Sequence, residues 1–194
     1  MALITEYRTP ATPDYEAVEV ADADAVEQDH EALKAARSRV VAGSGRQLYL
    51  QSLQRDIDVE VIIRVWDTSQ PPPASAEGTV PVTLNSPSGT LVIKQFTYGP
   101  AGEMALPCPG LYEGLASWNG RQETADYYDA CLDRSVDEEW GAEQFRQAWR
   151  ECPTREQYVI DLWPAHDVSG ATVSNADQAD TMLDPARRDR IAFG

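Results

Sequence analysis

At 194 residues the chain is long enough for one well-buried core with decorations, and short for two ordinary domains. An apolar fraction of 42% and a charged fraction of 25% exclude a fully disordered chain. Lys+Arg 16 against Asp+Glu 32 leave a net charge of -16, so binding to nucleic acid or to an anionic membrane would need a strong local reversal of sign.

Lysine occurs only at Lys34 and Lys94, with arginine supplying the remaining positive charge. The acidity therefore has two readings, a compositional one and a functional acidic surface, because net charge speaks to solubility and association rather than to fold. The start, Met1 to Arg8, lacks a basic segment followed by an apolar run, and no stretch reaches the roughly 18 apolar residues of a membrane span. These features predict a soluble cytoplasmic protein. Cys108, Cys131 and Cys152 are odd in number and widely spaced, unlike a secreted disulfide framework or a paired-cysteine zinc site. Reduced, buried thiols are expected.

In chain order, Leu3 to Tyr7 and Tyr15 to Val20 alternate loosely and read as short edge strands separated by Thr-Pro-Ala-Thr-Pro. Ala23 to Val40 reads as a helix with acids early and bases late, as the macrodipole prefers, stopped by Gly43-Ser-Gly45. Gln47 to Leu53 and Asp58 to Trp66 read as a hairpin. Its second arm places Val59, Val61, Ile63 and Val65 on a core face, with Glu60, Ile62, Arg64 and Trp66 opposite. Pro71 to Gly78 is an extended connection between sheets. Val80, Val82 and Leu84 face inward, Ser86-Pro-Ser-Gly89 turns, and Leu91, Ile93 and Phe96 return as a second hairpin.

Met104 and Leu106 face in before Pro107 and Pro109 end a ladder, and Pro109-Gly110 turns into a strand carrying Tyr112, Ala116 and Trp118. Gly114 in that strand leaves room for a bulge or a close backbone. Thr124 to Pro153 reads as two short helices bent near Ser135 or Gly141, and Ser135-x-x-Glu138 resembles a capping box. Tyr158, Ile160 and Leu162 mark a last strand ended by Pro164. Beyond it, residues 166–194 are polar, with Met182, Leu183, Ile191 and Phe193 as the only anchors, a mobile segment or a docking arm.

Catalytic signatures are missing from the sequence. Gly43-Ser-Gly45 lacks the glycine spacing and the Lys-Ser/Thr pair of a phosphate loop, and Asp56-Ile-Asp58 lacks the remainder of a calcium loop. His30 and His166, the only histidines, have no neighbouring ligand spacing for a metal. No catalytic residue, cofactor-binding residue or metal ligand is assigned. What stands out is an acidic cluster in the helical region: Glu123, Asp126, Asp129, Asp133, Asp137, Glu138, Glu139 and Glu143, with Arg134 nearly the only counter-charge. It is either a solvated helix face or a surface for a basic protein partner. Tyr127, Tyr128, Trp140 and Trp149 lie nearby, either as core or as hot-spot anchors.

Arg64-Val-Trp-Asp67, Gly89-Thr-Leu-Val-Ile93, Leu106-Pro-Cys-Pro-Gly-Leu-Tyr112 and Tyr158-Val-Ile-Asp-Leu-Trp-Pro164 resemble small bacterial β-sandwich proteins, among them the competence protein J-like nuclease inhibitors. The resemblance covers roughly residues 44 to 165 and implies a β-sandwich that blocks a cognate nuclease. The helical insert after Gly120 and the C-terminal arm depart from a minimal sandwich, and no inhibitory residue is carried over. The expected fold is an antiparallel β-sandwich over residues 1–165, with an N-terminal helix and a helical insert at about 123–153. The expected function is a non-catalytic, acidic, cytoplasmic binding protein of immunity or antitoxin type that inhibits a basic partner enzyme, with a nuclease in view. Two alternatives stay open: an assembly component docking through the C-terminal arm, and a small-ligand or carbohydrate-binding sandwich.

Overall fold

A computed structural model describes residues 1–165; the C-terminal arm and His166 lie outside the described residues. The chain runs β1 (Leu3–Ala11), β2 (Ala17–Asp22), α1 (His30–Arg39), β3 (Val41–Gly43), β4 (Gln47–Gln51), β5 (Val59–Trp66) and β6 (Gly78–Ser86). It continues through β7 (Thr90–Gln95), β8 (Gly99–Ala105), β9 (Gly110–Asn119), α2 (Arg121–Asp137), α3 (Ala142–Arg150) and β10 (Gln157–Pro164). The strands form two five-stranded sheets, in the orders β1-β5-β10-β9-β6 and β3-β4-β2-β7-β8.

Alternation puts one apolar row of each strand between the sheets. Val59, Val61, Ile63 and Val65 of β5 join Ile160 and Leu162 of β10 in one cluster with Val18 and Val20 of β2 and Leu91 and Ile93 of β7. These side chains are essentially without exposed surface, so the expected core face of β5 is the observed one. Ile62, on the other face, is buried as well. Against the outer face of the second sheet, α1 sets Ala32 and Ala36 on Tyr49.

The pairing differs from the sequence expectation in ways that share a cause: alternation reports which face a residue takes, not which strand lies beside it. β4 and β5 belong to different sheets, as do β6 and β7, so neither expected hairpin forms. The turns at residues 52–58 and 87–89 are corners between sheets. Conversely, the Pro71 to Gly78 connection does not change sheets: it joins β5 to β6 across β10 and β9. The sandwich is not wholly antiparallel, because β10 lies parallel to β5, with Ile160 opposite Ile63. β2 is a central strand with every residue buried, not an edge. β1 does lie at an edge and runs on to Ala11; Pro10, opposite Glu60, is tolerated there because an edge strand can spare one N–H.

Helix boundaries shift for local reasons. α1 begins at His30 rather than Ala23, because the Asp29 side chain caps it by accepting from the Ala32 N–H at 2.9 Å. Residues 23–28 form an irregular segment tied down by Lys94 Nζ, which donates to the Ala25 carbonyl at 3.1 Å. The helix ends at Arg39, and Val41–Gly43 is a strand, so Gly-Ser-Gly makes the β3–β4 connection instead of the helix stop. α2 passes straight through Ser135; the break falls at Glu138 to Gly141, where Gln144 Oε1 accepts from the Gly141 N–H at 2.7 Å. Of the cysteines, Cys131 is buried and Cys152 half-buried, whereas Cys108 is exposed, contrary to the expectation of three buried thiols.

Polar groups fix the corners. Asp22, without exposed surface, accepts from the Ser86 and Ser88 hydroxyls at 2.6 Å each and from the Ser88 N–H at 3.1 Å, clamping the β6–β7 corner to β2. At the β8–β9 corner the buried Tyr112 hydroxyl donates to the Cys108 carbonyl at 2.7 Å. Burial raises the Tyr112 pKa to about 12, which keeps that hydrogen in place. Gly110 turns the chain there with φ 141, in the region that disfavours side chains.

Burial pushes the Asp22 carboxyl up, but the serine hydroxyls and the backbone N–H groups of Ser88 and Asp24 outweigh it and hold the pKa below 3.8. Stability from such a group is present above its unfolded pKa and lost as pH falls through the native one. The stability gap between wild type and Asp22→Asn in urea unfolding should therefore shrink as pH drops below 3.8; a gap constant with pH would contradict the clamp. A Cβ at Gly114 would sit 2.3 Å from the Asp161 carbonyl oxygen and 2.8 Å from Leu162 Cδ2. Gly114→Val should cost about 1–3 kcal/mol through forced separation of β9 from β10, read as a lower urea midpoint.

Candidate functional site

α2 and α3 sit between β9 and β10, and their packing decides which side chains are free. Tyr128 stacks on Trp149 with ring centroids 5.0 Å apart, Phe145 lies 5.6 Å from Trp149, and Trp140 meets Phe145 edge-on at 5.6 Å. Of the aromatic residues read as core or anchors, Tyr128, Trp140 and Trp149 thus join Phe145 in the small core of this helical pair, and Tyr127 donates its hydroxyl to the Ala148 carbonyl at 2.9 Å. The pair is fastened to the body at three points. Arg121 Nε donates to the Gln51 carbonyl at 2.8 Å, Thr124 Oγ1 to the Thr154 carbonyl at 3.1 Å, and the Tyr128 hydroxyl to Asp56 at 2.7 Å.

With that face occupied, the opposite one is acidic. All eight residues of the predicted cluster are exposed, but the structure divides them. Asp126, Asp129, Asp133 and Asp137 follow one another at spacings of three, four and four residues on α2. At about 100° per residue this puts them on one stripe roughly 16 Å long. Glu123, three residues before Asp126 and in phase with the stripe, accepts from Thr154 Oγ1 at 2.9 Å. Glu138 ends the helix and pairs with Arg134 at 3.4 Å, and Glu143 on α3 pairs with Arg146 at 2.6 Å. Glu139 follows in the connection with φ 50.

The stripe works against its own helix. Like charges four residues apart repel, and Asp137, Glu138 and Glu139 crowd a helix C-terminus where the dipole favours cations. Among the described residues, Asp129, Asp133, Asp137 and Glu139 make no ion pair, and Asp126 accepts only from Gln122, at 2.7 Å. At the end of the stripe the Trp140 indole N–H, with the Arg134 guanidinium, holds the Glu138 carboxyl below 4.5. Arg134 also lies 5.1 Å from the Trp140 ring centre.

Sequence reasoning missed a second surface. Tyr15 is 74% and Tyr98 66% exposed. Tyr15 and Glu16 both have positive φ, 53 and 65, a conformation that non-glycine residues adopt at a cost. The turn is held by the Ser52 N–H, which donates to the Glu16 carbonyl at 2.8 Å, and by the Asp14 carboxylate, which accepts from the Thr97 N–H. Both tyrosines line a cleft of about 330 Å³ with Glu16, Arg37, Arg55 and Asp56. Asp56 is also the acceptor of the Tyr128 hydroxyl, so the cleft borders α2. Pro13-Asp14 marks a turn in the sequence, but nothing in residue propensity announces a tyrosine with left-handed backbone.

His30 is exposed, at the start of α1. Among the described residues no three His, Cys, Asp or Glu side chains converge as metal ligands, and no helix is long and apolar enough to cross a membrane.

No protein-family model matches the sequence, and no curated protein matches it significantly. Solved structures do match its fold. ComJ from Bacillus subtilis, an inhibitor of the DNA degrading activity of NucA, superposes with a TM-score of 0.53 at 11% identity, over 84% of this chain and 98% of that one. The product of crocagin biosynthetic gene J superposes with a TM-score of 0.49 at 18% identity, over 86% of this chain and 100% of that one. The fold of this chain is thus similar to that of a nuclease inhibitor, in line with the resemblance read from its strand and turn motifs.

Proposed function

We propose that this chain is a non-catalytic, cytoplasmic binding protein of immunity or antitoxin type, a single β-sandwich domain over residues 1–165 that inhibits a basic partner enzyme, a nuclease in the first instance. The observation that carries the reading is the aspartate stripe on α2, kept on an exposed face against the interest of its own helix. Such a row of one sign attracts a cationic surface at long range and speeds encounter, by about 10- to 1000-fold when steering is strong. Glu123, Glu138, Glu139 and Glu143 extend the field around it.

Charge alone gives approach rather than residence, because exposed pairs are screened beyond about 8 Å at physiological salt. Short-range anchoring falls to Tyr15 and Tyr98, whose exposure, with the strained backbone at Tyr15, suits a hot spot beside the acidic field. The fold likeness to ComJ supports the inhibitor class over other uses of a sandwich.

The test is to isolate the chain with its partner from the native host, identify the partner by mass spectrometry, and assay DNA degradation with and without the chain. Inhibition is expected, with an association rate that falls steeply as salt is raised. Replacing Asp126, Asp129, Asp133 and Asp137 together by Asn should slow association at least tenfold at low salt while leaving the melting temperature unchanged or higher. A partner rate insensitive both to salt and to this replacement would overturn the stripe's role. Tyr15→Gly should relieve the backbone and so raise stability, yet shorten the lifetime of the complex; a variant bound as long as wild type would remove Tyr15 from the interface.

A further inference from the structure

Beneath the root of α2 lies a carboxyl group that partner binding does not use. Glu156, immediately before β10, has no exposed surface. Its Oε2 stands 2.6 Å from Ser52 Oγ, and its Oε1 2.5 Å from the Tyr158 hydroxyl oxygen. The same Tyr158 oxygen is 2.7 Å from the backbone carbonyl oxygen of Gln51, which also accepts from Arg121 Nε at 2.8 Å. Ser52 Oγ accepts from the Gln54 N–H at 3.2 Å, leaving its own hydrogen for Glu156.

Counting hydrogens decides the protonation state. Three short oxygen–oxygen contacts join Ser52, Glu156, Tyr158 and Gln51, and each needs one hydrogen. Two hydroxyls supply two, and a carbonyl supplies none. Were Glu156 a carboxylate, both hydroxyls could point at it with the short distances of charge-assisted bonds. The Tyr158 and Gln51 oxygens would then face each other at 2.7 Å with lone pairs alone. A hydrogen shared between two acceptors would lengthen both contacts instead of holding one at 2.5 Å. A proton on Glu156 Oε1 resolves the arrangement: Glu156 donates to Tyr158, Tyr158 to Gln51, and Ser52 to Glu156 Oε2.

We propose that Glu156 is a neutral carboxylic acid in the native protein, and that its ionisation is a built-in release for the root of α2. The groups facing it are Tyr158 from β10, Ser52 and Gln54 from the loop after β4, and Arg121 from α2, the only formal charge among them. Burial pushes the Glu156 pKa up, against the opposing pull of Ser52, Tyr158 and Arg121. When its proton leaves to solvent, Tyr158 turns its hydrogen from Gln51 to Glu156. The Gln51 carbonyl then keeps Arg121 alone, and the joint holding the first residue of α2 loses one of its bonds. For a group with a raised native pKa, stability is fully present below the unfolded value of 4.5 and is lost as pH rises through the native one. The device operates whatever partner the aspartate stripe meets.

The test begins with the full chain and no variant: the Glu156 side-chain carbonyl followed by ¹³C NMR against pH. A midpoint above 4.5 is expected, and one at or below 4.5 overturns the assignment. Glu156→Gln reproduces the neutral acid, its amide N–H donating to Tyr158 and its amide oxygen accepting from Ser52. It should melt no lower than wild type and should lack the fall in melting temperature that wild type shows as pH rises through the measured midpoint. Across the same interval, amide exchange in residues 121–125 should exceed its intrinsic pH dependence in wild type and follow it in the variant. Matching pH profiles in the two proteins would overturn the release, and should the variant fail to fold, the wild-type titration still decides the protonation state.

Discussion

Burial of one apolar cluster between two sheets is the constraint on which the rest of this structure depends. Its members come from all ten strands, from Ala11 at the end of β1 to Leu162 in β10. A cluster gathered from so many short segments requires the chain to pass repeatedly from sheet to sheet. Every passage takes backbone polar groups close to the dry interior, where an unpaired donor or acceptor is costly. The structure meets that cost with side chains placed at the corners: Asp22 under the β6–β7 corner, Tyr112 at the β8–β9 corner, and the group around Glu156 where β4, β10 and α2 come together.

These three devices differ in electrical character because their donors differ. Asp22 collects hydroxyls and N–H groups in sufficient number to keep its charge, even without exposure to water. Tyr112 is a neutral donor whose ionisation burial suppresses. Glu156 faces two hydroxyls, the Gln54 amide and the Arg121 charge, which together do not outweigh its burial, and the count of hydrogens favours the neutral acid. The interior therefore contains one carboxyl whose contribution fails on acidification and one whose contribution fails on alkalinisation.

The candidate partner surface is a consequence of the same packing. α2 and α3 spend their aromatic residues on one another and on Asp56, so the remaining face of α2 is left to solvent and to its aspartates. The acidic face therefore sits on an appended helical pair, while the two exposed tyrosines sit on turns of the sheets themselves. Their nearness arises because Asp56 touches both α2 and the tyrosine cleft.

The sequence by itself determined most of the strands and the faces they bury, though not the short β3 or the start of α1. The rows Val59 to Val65, Val82 to Leu84 and Leu91 to Ile93 were legible because burial of one strand face imposes a period of two that no other local force mimics. The turn at Pro109-Gly110 and the acidic helical insert were legible for equally local reasons, whereas Gly114 read as a bulge or a close backbone and the helix break as Ser135 or Gly141, and the fold chose the second of each. Partnership was decided by the tertiary structure alone. That β4 and β5 part company, that β10 runs parallel to β5, and that β2 is central follow from which arrangement closes the shared core, a property of many distant residues at once. The same holds at the site. Eight acids could be read in a row, but the end of α2 at Asp137 and the Thr154, Arg134 and Arg146 contacts separated the four-aspartate stripe from the remainder. The left-handed Tyr15 and the buried Glu156 had no sequence signal, because strain and desolvation are imposed by surroundings that exist only after the chain has folded.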